Sequence, residues 1–189
     1  MQRLLRITTA LVAAVGLFAF TAESAPAYTI VACSHHGWIR SSANGRYVSA
    51  ELGYKGSNYG MLRARSSRVE TWERFTACQV WIGKYYGTAF KSEANGKWVT
   101  AELGYRGSNY GMLRARSSTV IMSELFFCGP MPGTGGLFAY GNHNFVGAEM
   151  HYSAVRYGML RASMSDTNIS GHWGPQFEFA DHFPGVCAP

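Results

Sequence analysis

The stretch Ala43–Ser67, ANGRYVSAELGYKGSNYGMLRARSS, returns at Ala94–Ser118 as ANGKWVTAELGYRGSNYGMLRARSS, identical at 21 of 25 positions. A third, diverged copy begins at Asn142 and keeps Asn142, Val146, Ala148, Glu149, Tyr152, Tyr157, Gly158, Met159, Leu160, Arg161 and Ala162 in register. The period is 51 residues from Asn44 to Asn95 and 47 from Asn95 to Asn142. Within a copy the side chains alternate: Val48, Ala50 and Leu52 point one way, Tyr47, Ser49 and Glu51 the other, which is strand periodicity. Asn44-Gly45 and Asn95-Gly96 suit the positive φ of a tight hairpin turn between the strand before, such as Trp38–Ser42, and the strand after. The longer loop Gly53–Gly60 closes a second hairpin that continues into Met61–Arg65, with Leu62 and Ala64 facing the core. A fourth strand is expected near Trp72–Val80, with counterparts near Glu124–Cys128 and Gln176–Ala180.

Twelve strands in three copies restrict the architecture. A propeller ring usually takes about four or more blades, and helical solenoids need apolar residues at three- and four-residue spacing, which the chain lacks beyond its first 27 residues. The expected fold is all-β: a β-trefoil of three four-stranded repeats with pseudo-three-fold symmetry, the repeats covering about 35–83, 84–134 and 135–184. One copy alone cannot bury its apolar face. Val48, Val99 and Val146, Leu62, Leu113 and Leu160, and Phe75, Phe126 and Phe177 are expected to meet near the axis.

Residues 1–27 read as a secretory signal peptide. Arg3 and Arg6 precede an apolar run from Ala10 to Phe20, and Ala25-Pro26-Ala27 has small residues at the cleavage positions. The run is too short to span a bilayer, which takes roughly 20 residues. The remaining residues 28–189 form one domain, expected to be extracellular, monomeric and without a membrane span. Its 15 basic and 10 acidic residues are scattered, which argues against nucleic acid as a partner. Cys33, Cys78, Cys128 and Cys187 predict two disulfides in an oxidising compartment; three pairings are open. None forms a C-x-x-C pair, so metal is not expected.

NGRYVSAELGYKGSNYGMLRARSS followed by TWERF resembles the repeat of fascin-like β-trefoil domains, and more closely the small exported actinobacterial proteins that contain such a domain. The resemblance covers about Gly37 to Phe179 and implies the fold. Related bacterial trefoils often bind carbohydrate, so it also implies a carbohydrate-binding or protein-binding module. Fascin bundles actin through several trefoils in tandem, and a single trefoil is not expected to do so.

The chemistry of catalysis is sparse. Asp166 and Asp181 are the only aspartates after residue 27, and Asp166 with Glu178 is the least unsuitable pair for glycoside hydrolysis, which needs two facing carboxylates. His35, His36, His143, His151, His172 and His182 show no zinc motif; neighbours His35 and His36 could share a metal only from a loop. There is no nucleophile elbow, phosphate loop or dinucleotide fingerprint, and Gly133-Thr134-Gly135-Gly136 reads as a connector. The chain is therefore expected not to be an enzyme and to need no cofactor.

Glu51 with Arg63, Glu102 with Arg114 and Glu149 with Arg161 are expected to form outward-facing cross-strand ion pairs that fix register. The loops GYKGSNYG and GYRGSNYG carry Tyr54, Asn58, Tyr59, Tyr105, Asn109 and Tyr110. Rings, amides and hydroxyls of this kind suit the faces and hydroxyls of a sugar, and equally an adaptable protein surface. Tyr54 and Tyr105 are expected to be exposed, and Tyr59 and Tyr110 to anchor the loops. In the third copy Ser153 replaces the basic residue and Arg156 the asparagine, while Tyr152 remains. The expected partner is a polysaccharide or cell-surface glycan held by these loops; a protein partner, bound as a fascin-like or inhibitory module, is the alternative, and a small hydrolase the least favoured.

Overall fold

A computed structural model describes residues 28–131, 134–165 and 176–180. The signal-peptide segment, Asp166, Asp181, His172, His182 and Cys187 lie outside the described residues. Thirteen strands and no α-helix occur among the described residues. β1 (Tyr28–Gly37) precedes the repeats. β2 (Ile39–Ser41), β3 (Arg46–Glu51), β4 (Met61–Ser66) and β5 (Phe75–Ile82) fall in the first copy, and β6 (Tyr85–Ser92), β7 (Trp98–Ala101), β8 (Leu113–Ser117) and β9 (Phe126–Met131) in the second. β10 (Thr134–Ala139), β11 (Asn144–Glu149), β12 (Met159–Met164) and β13 (Gln176–Phe179) fall in the third.

The strands belong to one sheet that closes on itself through the β3–β4 pairing. The nine residues expected at the axis are all in one core cluster and no more than 2% exposed. Alternation along β3 and β4 puts Val48, Ala50, Leu62 and Ala64 on that face, and burial of each large side chain stabilises by about 1.5–3 kcal/mol.

Three hydrogen bonds of the same kind tie the copies into a ring. Ala64 N donates to Gly158 O at 2.7 Å, Ala115 N to Gly60 O at 2.7 Å, and Ala162 N to Gly111 O at 2.8 Å. Each glycine has a positive φ, and a Cβ on Gly60, Gly111 or Gly158 would stand 2.3–2.6 Å from a backbone oxygen of the next copy. Glycine is required there on both counts. The asparagine that opens each copy fixes its turn, Asn44, Asn95 and Asn142 donating Nδ2 to Ala64 O, Ala115 O and Ala162 O at 2.8, 2.9 and 2.8 Å.

The strand plan departs from the sequence reading in three places. β1 is an added strand, paired with β5 and joined to it by the Cys33–Cys78 disulfide between directly opposed residues. Cys128 is also disulfide-bonded. Residues 72–73 and 124, expected to be strand, belong to 3-10 turns at 71–73 and 122–124, because Glu73 and Glu124 bend back to accept the backbone N–H of Glu70 and Ile121, each at 2.9 Å. Thr134–Gly136 belong to a strand rather than to a connector: β10 pairs with β9 and β13, and ladder hydrogen bonds need no side chain.

Candidate binding clefts beside the repeat loops

The repeated arginines do not face outward: Arg63 and Arg114 are buried, and Arg161 of the third copy is partly buried. Glu51 is 3% and Arg63 7% exposed, and their nearest N–O distance is 4.0 Å. Arg63 instead donates Nη1 to Tyr54 Oη at 2.9 Å, Nε to Tyr157 O at 3.0 Å and Nη2 to Ala154 O at 3.2 Å. Arg114 repeats the pattern, donating to Tyr105 Oη at 2.7 Å, Tyr59 O at 2.8 Å and Gly56 O at 3.1 Å, and it reaches Glu102 at 3.3 Å. Arg161 donates to Tyr152 Oη at 3.0 Å and lies 3.4 Å from Glu149. In the first two copies the arginine thus clamps its own loop tyrosine and the loop of the preceding copy.

This geometry reverses the expected roles of the tyrosines. Tyr54, Tyr105 and Tyr152 are the anchors, packed on the fully buried Met61, Met112 and Met159 with their hydroxyls engaged by arginine. Tyr59, Tyr110 and Tyr157 are the exposed ones, at 38, 36 and 42%. Asn58 and Asn109 are half-buried, each the last residue of a 3-10 turn, Gly56–Asn58 and Gly107–Asn109. In the third copy Arg156 turns to the second loop and donates to Ser108 Oγ, so its loop surface differs from the other two.

A cleft lies between each of the first two hairpins and the 3-10 turn that follows. The first holds about 520 Å³ and is lined by Ser49, Arg65, Trp72 and Glu73; the second, about 390 Å³, by Thr100, Glu102, Tyr105, Arg116 and Glu124. Arg65 and Arg116 are about half exposed and bound to the buried carboxylates of Glu51 and Glu102. Burial pushes the Glu51 carboxyl above its ordinary range, against the opposing pull of Arg65 and Arg63. The hydrogen bond to Glu102 raises the Arg116 value and keeps its charge fixed. Ser49 donates to Glu73, and Ser123 to Glu124 at 3.2 Å. Each cleft thus offers a fixed guanidinium and an aromatic wall over a charged floor, an array that can take hydroxyls and one ring face.

Sequence reasoning missed Arg65, Arg116, Trp72, Glu73 and Glu124. A glutamate two residues before each core phenylalanine, Phe75 and Phe126, was the available signal. The third copy replaces Arg65 by Ser163 and Ser49 by Gly147, where a Cβ would stand 2.6 Å from Met164 Sδ. Its cavity, about 670 Å³, is lined by Glu149, His151, Tyr152 and Met164, and is more apolar. The other candidates are engaged elsewhere: Glu178 pairs with Arg40 at 3.0 Å, His36 with Glu93 at 2.8 Å, and His35 meets Thr76 at 2.9 Å. Among the described residues no cluster of three His, Cys, Asp or Glu could hold a metal ion, and no helix is long and apolar enough to cross a membrane.

No protein-family model matches the sequence, and no curated protein matches it. Solved structures do resemble it. The designed three-fold symmetric protein ThreeFoil superposes with a TM-score of 0.56 at 13% identity, covering 77% of this chain and 98% of that one. The Rhizoctonia solani agglutinin does so at 0.53 and 11%, covering 80% and 99%. The GlcNAcα1-4Gal-releasing endo-β-galactosidase of Clostridium perfringens matches at 0.54 and 14%, covering 77% of this chain; the chain spans only about a third of that enzyme (32%). At such identities the likeness concerns the fold. The protein is a β-trefoil, closed by three copies of one unit.

Proposed function

We propose that this β-trefoil is an exported, non-catalytic carbohydrate-binding module, with the clefts of the first two copies as equivalent sites and the exposed Tyr59 and Tyr110 on the neighbouring loops. The observation that carries this reading is the repeated half-exposed arginine fixed at each cleft by a buried carboxylate, Arg65 by Glu51 and Arg116 by Glu102, beside one aromatic side chain drawn from a different position in each, Trp72 in the first and Tyr105 in the second. A guanidinium locked by a buried carboxylate keeps its remaining N–H groups aimed outward, and such pre-organisation lowers the entropy lost on binding. Two weak sites on one domain gain by avidity on a repeating polymer. An agglutinin and an endo-β-galactosidase among the fold neighbours are consistent with the same ligand class. The resemblance to fascin-like repeats adds the trefoil ancestry without the bundling.

A glycan array with the purified protein tests the reading, repeated with Arg65→Ala and Arg116→Ala. Binding that falls in each single variant and vanishes in the double variant supports two equivalent sites. No hit, or hits untouched by both substitutions, would remove the clefts from consideration.

A further inference from the structure

The three-fold arrangement allows one surface row to be compared at three places. Across β13, β2 and β3, Glu178, Arg40 and Tyr47 lie directly opposite one another. Across β5, β6 and β7 the same positions hold Thr76, Lys91 and Trp98. Across β9, β10 and β11 they hold Phe127, Phe138 and Phe145. In the first row Arg40 bonds to Glu178 and lies 5.9 Å from the Tyr47 ring centroid; in the second Lys91 stands 5.3 Å from that of Trp98. The scaffold is therefore satisfied here by a cation over one ring. In the third row all three positions are phenylalanine, with Phe138 and Phe145 at 5.2 Å and Phe127 43% exposed.

The row continues along the surface. Phe138 meets Tyr140 at 5.9 Å, and Tyr140 meets Tyr85 at 5.9 Å, with Lys84 Nζ 5.5 Å from the Tyr85 centroid and His143 beside Phe138 at 6.1 Å. The segments that build it, 75–92 and 125–148, contain two lysines and no acidic residue. Three strands about 4.8 Å apart set the outer rings roughly 10 Å from each other, a span that suits consecutive sugar rings. With aromatic side chains of about 150–250 Å² each, these half-exposed rings offer on the order of 300 Å², well short of the roughly 800 Å² per partner of a standard protein interface.

We propose that the Phe127–Phe138–Phe145 row is a second ligand platform, on which a polysaccharide chain bearing carboxylate groups stacks its ring faces while Lys84 takes the charge. It shares its ligand class with the cleft reading but rests on separate residues.

Affinity electrophoresis of the full chain through gels containing polygalacturonate, with fully methyl-esterified pectin as the uncharged comparison, tests it. The expected result is retardation by polygalacturonate alone, weakened on the order of tenfold in apparent affinity by Phe127→Thr with Phe138→Gln. Thr76 and Lys91 show that polar residues fold at these positions; should the pair still melt early, Phe127→Thr alone carries the same readout. Wild-type protein that is not retarded by polygalacturonate, or a variant retarded as strongly as the wild type, overturns the platform. Equal retardation in the neutral pectin overturns the carboxylate. A sedimenting dimer that the same variant dissociates would give the row to a second copy and overturn it too. Arg65→Ala with Arg116→Ala separates the two sites: loss of retardation there, with the phenylalanine variant unaffected, assigns the polymer to the clefts and refutes the platform.

Discussion

Arg114 of the second copy holds the loop of the first: its Nε donates to Tyr59 O at 2.8 Å and its Nη2 to Gly56 O at 3.1 Å. The guanidinium is 6% exposed, so a charge otherwise costly to bury is covered by carbonyls, a phenol and Glu102. Arg114→Ala would leave those acceptors dry and unpaired. It should cost about 2–5 kcal/mol in denaturant melts, and Arg114→Lys should recover less than half, because an ammonium cannot reach three diverging acceptors. A loss under about 0.5 kcal/mol would mean the clamp is incidental.

The glycine contacts between copies give a paired test. A Cβ on Gly111 would stand 2.3 Å from Ala162 O with φ at +75°, whereas Gly56, at +60°, has nothing within 4 Å. Gly56→Ala should therefore show only the backbone cost of the left-handed region, about 1–2 kcal/mol, while Gly111→Ala should exceed it by at least about 2 kcal/mol through displacement of the third copy. Equal losses would argue against a rigid junction.

Leu113 is 1% exposed at the centre of the core. Leu113→Ala should cost about 2–5 kcal/mol, and Leu62→Ala and Leu160→Ala the same within about 1 kcal/mol if the three positions are equivalent. A spread wider than that, read from urea midpoints, would show that the copies share the axis unequally.

The core was legible because period-two alternation assigns faces directly, and Val48, Leu62 and Phe75 needed nothing more. What covers the other face was not legible. Ser49 and Glu51 point away from the axis as the alternation requires, yet they are buried, because Arg65 and the turn at residues 71–73 close over them. Arg63 and Arg114 are buried because a neighbouring copy supplies the carbonyls, a partner no single-repeat pattern contains. The assignment of the tyrosines failed for the same reason, since the arginine that fixes Tyr54 lies nine residues ahead on the next strand.

Glu51 and Glu93 should respond to pH in opposite senses. Burial, the largest effect on Glu51, holds its folded value above the ordinary 4.5, so the stability it contributes is full below about pH 4 and is lost as pH rises through the folded value. For Glu93 burial also raises the value, but hydrogen bonds from the His36 backbone and ring and from Thr76 outweigh it and leave the value lowered. Its contribution is present above pH 4.5 and disappears as pH falls through the depressed value. Chemical denaturation from pH 3 to 7 should show Glu51→Gln gaining on the wild type as pH rises and Glu93→Gln falling behind. Parallel curves for both variants would refute the linkage.

The two tyrosines of a loop should separate stability from binding. Tyr105 Oη accepts the 2.7 Å hydrogen bond from the buried Arg114, and its ring covers the methionines. Tyr105→Phe leaves the ring and removes only the acceptor, so it should cost about 1–3 kcal/mol. Tyr110 is 36% exposed, and its backbone N–H to Gly107 O bond at 3.1 Å survives truncation. Tyr110→Ala should stay within about 0.5 kcal/mol of the wild type and show its effect only as weaker retention on whichever glycan the array identifies. A Tyr110→Ala variant that melts early, or a Tyr105→Phe variant that melts like the wild type, would restore the assignment drawn from sequence, with Tyr110 as the anchor.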